Sequence, residues 1–178
     1  MLDLVVIGAG PHAMSLLTRL IDDEPDLMTE QQRIRIVHKA GSRGRTHKGV
    51  GKHLKRRFDA ERSLRSTLVV DTHGVWMEQW RSDFATLDIP HTRSHADLHP
   101  CPHDFQSLRV WAESQRREDE FVHMHHVDRD ASRSKGYYGP FTLPATPLFN
   151  DFCTSLIERY NLAPLVRRGH ATEVCGSL

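Results

Sequence analysis

Leu4-Val5-Val6-Ile7-Gly8-Ala9-Gly10-Pro11-His12-Ala13 is the stretch whose reading decides the fold. Its apolar start, rich in β-branched residues, has the pattern of a short buried strand, and G-x-G-x-x-A follows with no gap. Ala13, Leu16, Leu17, Leu20 and Ile21 then repeat at the i, i+3, i+4, i+7, i+8 spacing of a helix packed on one side. A helix is therefore expected to open at the glycines. Each residue type suits a phosphate-binding turn: Gly8 permits the tight bend, Gly10 lets a pyrophosphate approach the backbone, and Ala13 lets helix and strand pack closely. Pro11 fits the first helical position, where its missing N–H breaks no hydrogen bond. The free N–H groups of that first turn, including His12, and the helix dipole favour phosphate. A glycine turn between any strand and helix is the plainer alternative. Strand, glycines and amphipathic helix in this order point instead to a dinucleotide, FAD or NAD(P), in a Rossmann-like α/β domain.

Such a domain needs a second strand that ends in an acid, to take the ribose hydroxyls. Arg33-Ile34-Arg35-Ile36-Val37-His38 alternates correctly but ends in His38-Lys39; Ser66-Thr67-Leu68-Val69-Val70-Asp71 ends in the acid. Asp71 is chosen, which makes residues 32–65 an insertion. That insertion carries 12 of the 24 Lys+Arg, against only Asp59 and Glu61. Its basic side chains lack interleaved aromatics, so a solvated loop is expected rather than a nucleic-acid contact. If Arg33 to His38 were the second strand, Lys39 would face a 2′-phosphate, and half of an NAD(P) dehydrogenase would result.

The chain has 178 residues, enough for one domain. Its formal net charge is +1, so no overall field marks a nucleic-acid or anionic-membrane binder. Cys101, Cys153 and Cys175 show no C-x-x-C spacing, which argues against a disulfide framework or a cysteine zinc site. With no secretory leader pattern at Met1 and no apolar run of about 20 residues, a soluble cytoplasmic protein without a membrane partner is expected.

Farther along, Trp76, Met77, Trp80, Phe84 and Leu87 predict a helix over 76–87, and Phe105, Leu108, Trp111 and Ala112 a second, with Asp104 as its N-cap. Thr146-Pro147 starts a third, whose apolar face runs from Phe149 through Phe152, Cys153, Leu156 and Ile157 to Tyr160. Arg167 to Val174 reads as a strand, and Arg129 to Gly139 as a polar linker. His95, His99 and His103 are four apart, but Pro100 and Pro102 deny them the helix that would align them on a metal. His123, His125 and His126 form a second cluster without a metal-ligand pattern. No metal site is expected.

The order of these motifs resembles the FAD-dependent N-hydroxylating monooxygenases, the lysine and ornithine N-hydroxylase group, and the related oxidative-stress-induced growth inhibitor proteins. The matching residues are Val6 to Ala13, Val69-Val70-Asp71 with Gly74-Val75-Trp76, Ile89 to Ser94 leading into His99-Pro100, and Phe141 through Leu162. The resemblance implies that Gly8, Gly10 and Ala13 hold the FAD pyrophosphate and Asp71 the ribose, with Trp76, Gln79, Trp80, Arg93 and Ser94 toward the flavin ring. It further implies that NADPH reduces the flavin and that a substrate nitrogen or similar nucleophile takes one oxygen atom, with no protein side chain required as nucleophile. Family members also carry a second glycine-rich motif for NADPH, which this sequence lacks. By that comparison residues 1–178 form a single partial FAD-binding domain, and a non-catalytic nucleotide-binding module is the alternative. Neither the substrate nor the oligomeric state is legible in these motifs.

Overall fold

The computed structural model describes residues 2–22, 66–103, 105–124, 141–173 and 175. The basic insertion at 32–65 with its competing strand Arg33 to His38, Asp104, His125, His126, the 129–139 linker and Val174 lie outside the described residues.

The fold is mixed α/β. Strand β1 (Leu4–Ile7) runs into helix α1 (Pro11–Ile21), and β2 (Thr67–Asp71) lies parallel beside β1. Helices α2 (Glu78–Thr86) and α3 (Ser107–Ser114) follow, then an antiparallel pair of β3 (Phe121–Met124) with β4 (Phe141–Pro144). Helix α4 (Thr146–Arg159) leads through a 3-10 turn to β5 (Val166–Arg168), which pairs parallel with β2. Among the described residues the main sheet has three parallel strands in the order β1-β2-β5. Leu4 faces Thr67 and Ile7 faces Val70, so Asp71 falls just beyond the end of β1, beside the glycine turn.

The core lies on one face of this sheet. Thr67, Val69 and Asp71 alternate inward along β2, while Leu4 and Val6 of β1 pack against the buried cluster. Met14 and Leu17 of α1, Leu108 and Ala112 of α3, and Leu148, Phe149, Phe152, Cys153 and Leu156 of α4 complete it. Each large apolar side chain fully removed from water contributes about 1.5–3 kcal/mol before chain entropy is subtracted. Helix α4 packs against both α1 and α3, which is why it contributes five buried residues to the core. On the opposite face, Val5 and Ile7 remain 51% and 60% exposed.

Several expected boundaries move. The helix expected over 76–87 begins at Glu78, because Met77 is its N-cap in the left-handed region at φ 65° and donates its N–H to the Ala9 carbonyl at 2.8 Å. That turn sends Trp76 into the core. The α3 helix starts at Ser107, with Gln106 as N-cap. The strand expected from Arg167 to Val174 shortens to Val166–Arg168, after which the Gly169 N–H bonds back to the Asp71 carbonyl at 2.9 Å. The β3–β4 pair was not foreseen: its strands are short, and His123 interrupts the apolar pattern.

Candidate functional site

The carboxyl ends of β1 and β2 meet at the glycine turn. Gly8 adopts φ 92°, where a side chain would be strained, and Gly10 is the N-cap of α1. A β-carbon added to either glycine would project into open space, so the backbone here is approachable. Pro11 occupies the start of α1 as the sequence requires. Asp71 closes the turn: its Oδ2 accepts the Ala9 N–H at 3.0 Å and its Oδ1 accepts the His73 N–H at 2.8 Å. The carboxylate is buried, and its first role is to hold the turn. Neighbouring Gly74 has φ 72°, and a β-carbon there would come within 2.7 Å of the Arg168 β-carbon. The turn and β5 therefore approach more closely than any side chain at 74 would allow.

A cleft of about 690 Å³ runs along α1. One wall is the helix itself, with Pro11, Ser15 and Arg19 at successive turns and His12 beside them. The opposite wall is the loop from Thr92 to His103, which supplies Arg93, Ser94, Asp97, His99 and Cys101. Hydrogen bonds to neighbouring elements fix this loop. The Thr92 N–H donates to the Pro144 carbonyl at 3.0 Å, and the Thr18 hydroxyl donates to the Pro100 carbonyl at 2.7 Å. Trp80, Phe84 and Phe149 form an aromatic end, Trp80 stacking on Phe84 with ring centroids 4.0 Å apart. Asp97 is partnered within the wall by Arg109, whose Nε lies 3.3 Å from its Oδ1.

The cleft gathers Pro11, His12, Trp80, Arg93 and Ser94 from the residues that the sequence singled out. Gly8, Gly10, Ala13 and Asp71 lie at its head, in and around the turn, but do not line it. Trp76 and Gln79 are placed elsewhere. The Trp76 ring is buried and its Nε1–H donates to the Leu162 carbonyl at 2.9 Å, a packing role. Gln79 is exposed and bonded to His73 and Asp83.

The three histidines spaced by four go separate ways. His95 is buried, its Nδ1 accepting the Asp97 N–H at 3.1 Å. His99 bonds to the Phe105 carbonyl at 3.1 Å, and His103 to Asp22 at 2.9 Å. Among the described residues no group of three His, Cys, Asp or Glu side chains could hold a metal, and no helix is long and apolar enough to cross a membrane. Cys153 is buried in α4, and burial pushes its thiol well above the ordinary range, which removes it as a nucleophile.

Sequence reasoning missed Ser15 and Arg19, although their spacing from Pro11 places all three on one helix face. It named His103 only as a loop histidine and Tyr160 only as a core residue, and missed Asp22, with which both meet at the far end of α1. Tyr160 donates to Asp22 Oδ2 at 2.6 Å across 138 residues of sequence, a pairing that no local pattern announces. Comparison with protein-family models, with curated proteins and with solved structures returned no match.

Proposed function

We propose that this chain binds a dinucleotide, FAD in first place, and is the flavin-contacting part of an oxidoreductase of the amine-hydroxylating kind. The observation that carries this reading is the turn where the carboxyl ends of β1 and β2 meet the start of α1, with open space in front of both Gly8 and Gly10. The order β1-β2-β5 is also that of one half of a doubly wound, Rossmann-like sheet, in which ligands lie across the carboxyl ends of the strands. The residues present fit the cofactor. Backbone N–H groups at Gly10, His12 and Ala13 would take the pyrophosphate, aided by the α1 dipole. Asp71 would reach the ribose with the lone pairs that its two backbone contacts leave over. The ring system would lie in the cleft, against Trp80 and beside Arg93 and Ser94.

Bound flavin would supply the electron transfer and the oxygen chemistry. The chain's own contribution is to orient the ring, to exclude water with the apolar side chains of the cleft, and to hold charge near the ring with Arg93. Hydride supply from NADPH calls for a second nucleotide site, and a small-molecule nucleophile would be the substrate. A purified protein that is yellow after desalting, or that takes up FAD with a shifted flavin spectrum, is the expected result. Gly10→Val should weaken FAD binding by about tenfold or more, since the side chain would enter the pyrophosphate path. A colourless protein that neither FAD nor NADP changes spectroscopically or thermally would reject the dinucleotide. Tighter binding of NADP than of FAD would move the assignment to a dehydrogenase half. Flavin bound without NADPH oxidation would identify a non-catalytic binding module.

A further inference from the structure

Asp22, His103 and Tyr160 form a connected set that dinucleotide binding does not use. Asp22 caps the C-terminal end of α1, and its side chain is 7% exposed. Its Oδ2 accepts the Tyr160 hydroxyl at 2.6 Å and lies 2.9 Å from His103 Nε2. Burial, together with the hydrogen bond to Asp22, pushes the Tyr160 hydroxyl upward, so Tyr160 stays a donor. A ring that directs Nε2–H at a carboxylate keeps its lone pair on Nδ1 and has its orientation fixed. Unlike its two partners, His103 reaches the cleft, with 36% of its side chain exposed.

We propose that His103 is an acid–base group for a ligand of the cleft, with Asp22 and Tyr160 as its positioning residues. Nδ1 takes the proton from a weakly acidic O–H or N–H of the ligand, the bonding pair stays on the ligand, and Nε2–H stays on Asp22. The imidazolium then returns the proton to the ligand or to water, and no oxidant or reductant is consumed. The ligand class follows from the two ends of the cleft. The Met77 N–H on the Ala9 carbonyl places the aromatic end by the start of α1, whereas Thr18 on Pro100 and Asp22 on His103 fasten the loop to its end. The helix between these two fastenings, Pro11 to Ile21, is about 15 Å long at 1.5 Å per residue. A planar apolar group at Trp80, Phe84 and Phe149 joined to an ionisable O–H or N–H near His103 suits that length. Among the described residues, the charged and titratable groups that touch His103 or share the cleft with it are Asp22 at the end of α1, Arg19 from α1, and His99, Cys101 and Asp97 from its own loop, with Tyr160 and, beyond it, Arg159 behind Asp22. A flavin ring against Trp80 would take the same end of the cleft, so the inference concerns the protein without bound flavin and does not rest on the function proposed above.

The test uses 4-nitrophenol, a planar ring with a weakly acidic O–H whose phenolate absorbs at longer wavelength than the neutral form. Mixing it with the full chain in mildly acidic buffer should raise the phenolate band in the difference spectrum. The rise should disappear in His103→Gln and fall about tenfold in Asp22→Asn, the size of loss typical when an orienting carboxylate is removed from a functional histidine. A wild-type protein that raises no phenolate band, or a His103→Gln variant that raises it equally, overturns the proposal. Should the variants fail to fold, carbethoxylation of wild-type histidines by diethyl pyrocarbonate, read residue by residue, decides alone. His103 should react, and 4-nitrophenol should protect it; an unreactive or unprotected His103 overturns the proposal.

Discussion

Cys153 on α4 and Tyr160, the C-cap of that helix, lie seven residues apart, and both are held in their protonated forms by burial. The sign of the consequence follows from proton counting. Above an ordinary thiol value near 9.0 the unfolded chain releases the Cys153 proton that the folded chain keeps, so stability falls as pH rises past that point. Tyr160 adds the same slope above its ordinary value of 10.0. Each group contributes up to about 1.4 kcal/mol per pH unit while its unfolded form is ionised and its folded form is not. Thermal midpoints measured from pH 7 to 11 should hold level and then drop, and the drop should be shallower in Cys153→Ala and in Tyr160→Phe. A midpoint that stays level to pH 11 in the wild type would contradict this burial. The Cys153 position was legible as an apolar-face residue, but the Tyr160 partner was not, because Asp22 is distant in sequence.

Helices α2, α3 and α4 all stop in the same way, although no glycine follows any of them. Asp88, Arg116 and Asn161 take left-handed φ values of 48°, 55° and 49° just past the three C-caps. In each case the N–H of the next residue donates to the carbonyl five positions back: Ile89 to Phe84, Arg117 to Ala112, and Leu162 to Ile157. This is the Schellman arrangement with a residue other than glycine in the strained place. Arg116→Gly should therefore raise stability by about 0.5–1 kcal/mol, by removing the clash between β-carbon and backbone at an exposed site. Met77→Gly, at the equally left-handed start of α2, should do the opposite. Met77 is 1% exposed, and deleting a buried methionine side chain costs about 2–5 kcal/mol, more than the strain released. Urea denaturation of the two variants checks both signs. The starts of α1 and α4 were readable from local signals; the end of α2 was read from where its apolar spacing stops at Leu87, its C-cap, but the left-handed stops themselves were not legible. Gly10-Pro11 and Thr146-Pro147 are local start signals, whereas Asp88, Arg116 and Asn161 stop helices through backbone geometry that their identities do not announce.

For the whole molecule, the most legible part of the fold was the strand that ends in Asp71, which lies parallel beside β1. The cleft was only half visible. Arg93 and Ser94 carried a motif, but Arg19, Phe84 and Phe149 join them only once α1, α2 and α4 are packed. Three parallel strands with their core on one face also leave Val5 and Ile7 outward, where parallel sheets usually carry a second layer. That exposure bears on how the protein behaves in an assay tube. An environment-sensitive dye such as 8-anilino-1-naphthalenesulfonate should fluoresce on the fully folded protein, a signal elsewhere taken to mean loosened packing. Ile7→Thr should remove most of that emission while leaving the unfolding transition sharp, and an unchanged emission would place the dye elsewhere. Dye-monitored melting of this protein would then start from a bright baseline, so ligand screening is better followed by intrinsic tryptophan emission, for which the buried Trp76 is a native-state reporter.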